Sequence, residues 1–99
     1  MHSWDIYEIT SEKTPIHRVM LRGRIRKLGL EKSFSVLTEN ASDKENCVRF
    51  AVLESTDADT ISLYLQTVVD DVHVDKVAEG VKNPVLSKLK VNDETRYTL

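Results

Sequence analysis

Ninety-nine residues with 40% apolar and 30% charged side chains, three Gly, two Pro and a formal net charge of −2 describe one domain with one modest core and exclude disordered or collagen-like chains. No apolar stretch approaches the roughly 18 to 20 residues needed to cross a bilayer, and the N-terminal MHSWDIYEIT is neither basic nor continuously apolar, so a cytoplasmic protein without a membrane segment is expected. Cys47 is the only cysteine, which excludes an intrachain disulfide and a cysteine zinc cluster.

In chain order, residues 1–14 read as an N-terminal arm or edge strand, with Ile6, Tyr7 and Ile9 as strand formers and Trp4 as an anchor, and residues 15–99 as a single α+β domain. After Pro15, residues 16–26 alternate with period two. Val19, Leu21, Gly23 and Ile25 fall on one side and Arg18, Met20, Arg22, Arg24 and Arg26 on the other, which predicts a strand with a basic face. Residues 27–40 fit two templates: Phe34, Val36 and Thr38 alternate like a strand, whereas Leu30, Phe34 and Leu37 fit a helical face. The run of Ser, Val, Thr and Phe favours a strand over 33–39.

Residues 41–46, ASDKEN, form a polar turn, and 47–54 form a strand with Val48, Phe50 and Val52 on one face. Thr56 opens a helix predicted over about 57–71. Asp57 and Asp59 sit in its first turn, and Ile61, Tyr64, Leu65, Val68 and Val72 make one apolar stripe. Strands are then expected around 72–77 and over 85–91, with a last short one at 96–99. Strands that outnumber helices and are joined partly by short turns point to an antiparallel sheet with helix on one face, most economically a split βαβ or ferredoxin-like layout.

Charge is unevenly placed. Residues 13–27 hold Lys13, Arg18, Arg22, Arg24, Arg26 and Lys27 with no acid, a local charge of +6 that leaves −8 on the rest of the chain. On one strand face, alternate arginines stand about 7 Å apart, a spacing comparable to successive phosphates, and Arg49 would extend the row. Guanidinium forks bind phosphate and carboxylate, so Arg18, Arg22, Arg24 and Arg26 are candidates for binding phosphate or another small anion. Cross-strand pairs with Glu31 and Glu39, or an acidic protein partner, satisfy the same side chains. A nucleic-acid strand is the third option, although no aromatic residue clearly shares the arginine side to stack bases.

Other chemistry has little support. His2, His17 and His73 lack metal-site spacing, no serine lies in a G-x-S-x-G elbow, and three glycines cannot build a phosphate-cradling loop of the known nucleotide motifs. Asp70, Asp71 and Asp75 read as solvated residues at a helix end. No cofactor is expected.

Three segments, taken in order, resemble the acylphosphatase family. Val19 to Ile25, with Gly23-Arg24-Ile25, is similar to a first strand ending in G-R-V. Leu28-Gly29-Leu30 followed by a strand ending in Asn40 is similar to L-G-L then V-x-N. His73-Val74-Asp75-Lys76-Val77 is similar to the V-D-x-V stretch of the fourth strand. The resemblance implies a ferredoxin-like domain and a reaction, acyl phosphate hydrolysis, that uses a Q-G-V-x-[FY]-R loop before the first helix and an asparagine that orients water. In this chain Arg26-Lys27-Leu28 follows Ile25 directly, so that loop and helix are expected to be missing and Asn40 alone matches a functional position. The leading expectation is therefore a non-catalytic acylphosphatase-like domain for protein association, self-association or small-anion binding. The alternatives are a divergent acylphosphatase using Asn40 with Arg24 or Arg26, and a nucleic-acid-binding sheet.

Overall fold

The computed structural model describes residues 3–16, 20–41, 44–82, 84–85 and 90–91. It contains β1 (Trp4–Thr10), α1 (Leu21–Lys32), β2 (Val36–Asn40), β3 (Cys47–Val52), α2 (Ser55–Val68), β4 (His73–Val81), β5 (Pro84–Val85) and β6 (Lys90–Val91). The first four strands form one antiparallel sheet in the order β2-β3-β1-β4, and β5 pairs with β6 in a separate two-stranded ribbon. Since β1 and β2 both run antiparallel to β3, they are parallel to each other, as are β3 and β4. Each of these pairs is joined through a helix, so the architecture is two interlocked β-α-β units. No helix among the described residues is long and apolar enough to cross a membrane.

Trp4–Thr10 is neither an arm nor an edge. It lies inside the sheet, paired with β3 from Asp5↔Val52 to Thr10↔Cys47 and with β4 from Trp4↔Val81 to Thr10↔His73. Its alternation supplies both faces. Tyr7 and Ile9 join Val48, Phe50 and Val52 in the main core, whereas Trp4 and Ile6 join Ala51 in a second cluster packed by Leu37, Leu53, Ala78 and Val81. All six residues of β3 are buried, as expected of a strand flanked on both sides. Tyr7 stacks on its register partner Phe50, with centroids 5.1 Å apart and planes 7° from parallel.

In the predicted basic strand over 16–26, residues 21–26 are instead helix, and 17–19 lie outside the described residues. Leu21, Ile25, Leu28 and Gly29 are the buried residues of α1, a spacing of four, three and one that only a helical period places on one side. Leu21 and Ile25, four apart, also satisfy period two, which is why alternation misread them; Leu28 breaks that parity. The first helix expected to be missing is therefore present, and Gly23-Arg24-Ile25 and Leu28-Gly29-Leu30 both lie on it. The second helix begins and ends slightly earlier than predicted, with Ile61 and Leu65 buried and Tyr64, Val68 and Val72 packed on the same core as α1. Both helices thus cover one face of the sheet. Of the strand expected over 85–91, Val85 lies in β5 and Lys90–Val91 form β6, while residues 86–89 and the strand expected over 96–99 lie outside the described residues.

The connection from β1 to α1 is held by two side chains from distant parts of the chain. Asp71, between α2 and β4, accepts hydrogen bonds from Ser11 Oγ (2.7 Å), Glu12 N (3.0 Å), Lys13 N (2.9 Å) and Thr14 Oγ1 (3.3 Å). Asn46, in the β2–β3 turn, accepts from Ile16 N and donates from Nδ2 to the carbonyls of Ser11 and Thr14, each at 2.8 Å. The donors around Asp71, Ser11 first, hold its carboxyl at about 2, below the ordinary 3.8.

On the sheet face away from the helices, Arg49 is 2% exposed and its guanidinium engages Glu8, its cross-strand partner, through Nε at 2.9 Å and through a second nitrogen. Lys44 joins Glu8 at 3.0 Å. Burial alone would raise the Glu8 carboxyl, but the hydrogen bonds from Arg49 and Lys44 outweigh it and hold it below its usual range.

Two outcomes follow. Asp71 has a folded value below its unfolded one, so its contribution to stability is present above about pH 4 and disappears as pH falls toward 2. The Asp71→Asn variant is expected to melt lower at neutral pH and to show a flatter dependence of Tm on pH between about 5 and 2 than the parent. Arg49→Met strands the Glu8 charge with Lys44 alone and is expected to cost about 2 to 3 kcal/mol in urea unfolding, most of which the double change Glu8→Gln with Arg49→Met recovers.

Candidate functional site

Placing residues 21–32 on a helix rearranges the arginine row. Arg22 and Arg26 are four residues apart and share one side of α1, about 6 Å apart along its axis, whereas Arg24 is turned roughly 160° away. Arg18 lies outside the described residues. The 7 Å ladder of guanidinium groups along a strand does not form. Arg49 does not extend it either, being committed to Glu8 on the opposite sheet face.

A cavity of about 250 Å³ opens where α1 begins over the sheet. It is lined by Ile16, Met20, Leu21, Arg22, Gly23, Arg26, Asn40 and Val48. Asn40 is the last residue of β2, and its register partner Val48 forms part of the floor. The structure therefore brings together three residues singled out in the sequence, Arg22, Arg26 and Asn40, and leaves Arg24 out of the lining. Neither Arg22 nor Arg26 forms an ion pair among the described residues.

Backbone groups add to the positive character. The first hydrogen bond at this end of α1 runs from Arg24 N to Met20 O at 3.0 Å, so the N–H groups of Leu21, Arg22 and Gly23 precede the helical ladder. Met20 makes no side-chain cap and the first turn holds no acid, so neither offsets the positive end of the helix dipole. Met20 has φ 57° and ψ 42°, a left-handed conformation that costs a non-glycine residue about 1 kcal/mol or more, and its side chain is 73% exposed. Gly23 has nothing within 4 Å of where a Cβ would stand, so the approach to this turn is open.

The segment pinned by Asp71 and Asn46 delivers Ile16 into the cavity wall, and further along α1 packs closely on β2. A Cβ on Gly29 would stand 3.0 Å from Val36 Cγ1 and 3.1 Å from the Phe34 carbonyl oxygen. The chain ends α1 just beyond, with Ser33 at φ 61° and its N–H bonded to Gly29 O. Sequence reasoning missed the roles of Ile16, Met20 and Gly23; the readable signal was the i, i+4 spacing of Arg22 and Arg26 beside Leu21 and Ile25.

Among the described lining residues there is no carboxylate, imidazole, hydroxyl or thiol. Among the described residues as a whole, no group of three His, Cys, Asp or Glu side chains converges as a metal site would. What the arrangement offers is cationic fork donors, an amide and helix-end N–H groups around a small open volume.

Gly29→Ala tests the α1–β2 spacing. Better helix propensity is worth about 1 kcal/mol, but the contacts with Val36 and the Phe34 carbonyl force α1 outward at a cost of about 1 to 3 kcal/mol. A net loss of stability in urea unfolding is expected, with amide shifts concentrated at residues 20–40.

Comparison of the chain with protein-family models, curated proteins and solved structures found no match.

Proposed function

We propose that this chain is a ferredoxin-like, acylphosphatase-like domain that binds small oxyanions of the phosphate class without turning them over. The observation that carries the reading is the meeting of Arg22, Arg26 and Asn40 in one cavity at the uncapped start of α1. Two guanidinium groups supply fork donors, the amide of Asn40 supplies another, and the helix end adds its dipole, a combination suited to a tetrahedral anion. The fold part of the reading rests on the β-α-β-β-α-β order with sheet order β2-β3-β1-β4 and both helices on one face.

Binding is favoured over hydrolysis because the sequence lacks the Q-G-V-x-[FY]-R loop that the resemblance assigns to holding the phosphate for hydrolysis. One observation favours the catalytic alternative: Asn40, the residue the family resemblance assigns to orienting water, shares the cavity with the arginines. The nucleic-acid reading has no such support, since the arginines do not form a row on an open sheet.

Titration with inorganic phosphate, followed by amide and arginine side-chain NMR shifts, is expected to give saturable changes at residues 20–26 and 40 with Kd of about 1 mM. Arg22→Ala and Arg26→Ala are each expected to weaken binding about tenfold. Shifts scattered over the basic surface, or none at about 20 mM phosphate, overturn the proposal. Incubation with acetyl phosphate settles turnover: hydrolysis that disappears in Asn40→Ala would make the domain an enzyme.

A further inference from the structure

A second cavity, about 400 Å³, adjoins the first. It is lined by Trp4, Arg26, Leu30, Phe34, Ser35, Val36 and Leu37, so Arg26 belongs to both walls. The two cavities differ in chemistry. Arg22, Arg26 and Asn40 stand in the first, while the second offers two aromatic rings and three aliphatic side chains with Ser35 as its one hydroxyl. Their geometric link is α1 itself, because Arg22, Arg26 and Leu30 recur every four residues along one side of the helix and advance about 6 Å at each step. Leu30, 83% exposed, stands at the rim of this recess.

From this we infer that the ligand is an organic phosphate or similar oxyanion that carries an apolar group, with the anion held by Arg22, Arg26 and Asn40 and the apolar group seated against Leu30, Phe34 and Val36. This rests on the anion-binding reading and narrows it to a ligand class. Free phosphate would leave the second recess unused, whereas a ligand whose apolar part joins the anion directly beside Arg26, the residue common to both walls, reaches both. The guanidinium of Arg26 is the pivot: its charge meets the anion and its methylene stem forms part of the apolar wall. Phe34 favours a flat ring over a flexible chain, because a ring buries comparable area with fewer torsions to freeze.

Four probes test this: inorganic phosphate, phenyl phosphate, n-hexyl phosphate and phenol, each titrated by NMR into the full chain. Phenyl phosphate is expected to bind about tenfold or more tightly than inorganic phosphate and to exceed n-hexyl phosphate, with phenol binding far more weakly than phenyl phosphate. Intermolecular NOEs are expected from the phenyl protons to the Leu30 methyls, the Phe34 ring and the Val36 methyls. Leu30→Ala, at an exposed position that leaves the core intact, is expected to erase several-fold of the phenyl phosphate advantage while inorganic phosphate binds unchanged.

Equal affinity for phenyl phosphate and phosphate, NOEs to another surface, or phenol binding as tightly as phenyl phosphate overturns this inference and leaves simple anion binding standing. Preference for n-hexyl phosphate overturns the flat-ring assignment and gives a chain-bearing ligand. If neither phosphate nor phenyl phosphate binds, the anion-binding reading itself fails.

Discussion

The arrangement depends first on how the chain leaves its central strand. β1 is paired on both sides, so the residues that follow it must turn out of the middle of the sheet and begin a helix on one face, exposing backbone polar groups as they do. Asp71 and Asn46 satisfy those groups from two later connections, one from between α2 and β4 and the other from the β2–β3 turn. Residues 11–16 are thereby tied to both β-α-β units at once. Conformational entropy of order 1 to 2 kcal/mol per residue opposes any such ordered connection, and here charge-assisted and amide hydrogen bonds offset it. The position of Ile16, and with it the inner wall of the first cavity, is set by this clasp.

Charge is handled differently on the two sides of the sheet. Arg49 is enclosed, its guanidinium matched to Glu8 across the strand, so it fixes register and orientation and is withdrawn from ligand chemistry. Arg22 and Arg26 face a cavity without an ion-pair partner among the described residues. The same residue type is thus paired with an acid across the strands in one place and lines a cavity on a helix in the other.

What was legible in the sequence was whatever depended on local period. The strand through Val48, Phe50 and Val52 and the helix through Ile61 and Leu65 lie where patterning puts them, and the strands predicted over 33–39 and around 72–77 overlap the observed Val36–Asn40 and His73–Val81. What was not legible depended on partners far along the chain. Nothing local distinguishes an interior strand at Trp4–Thr10 from an edge, because its burial comes from β3 and β4 on either side. The arginine segment was misread for a different reason: Leu21 and Ile25 satisfy both periods, two glycines and the lack of a capping side chain weaken the helix signal, and only Leu28 separates the alternatives. Asn40 was found through a family resemblance, but its meeting with Arg22 and Arg26 required α1 to be a helix lying over β2. The apolar recess at Leu30 and Phe34 had no sequence signature at all.

The outer strand β4 has one further consequence. It pairs with β1 through two register irregularities, the first beside Gly80 at φ 65°, and its exposed residues include Asp75, Lys76 and Glu79. Bulges twist a strand away from planarity, and charged side chains resist being matched against an identical neighbour. A nine-residue strand at the rim of a sheet is otherwise a template on which a second chain can continue the ladder. The irregular pairing that looks like imperfect packing against β1 thus also acts as protection, making this rim a poor surface for indefinite strand-by-strand growth.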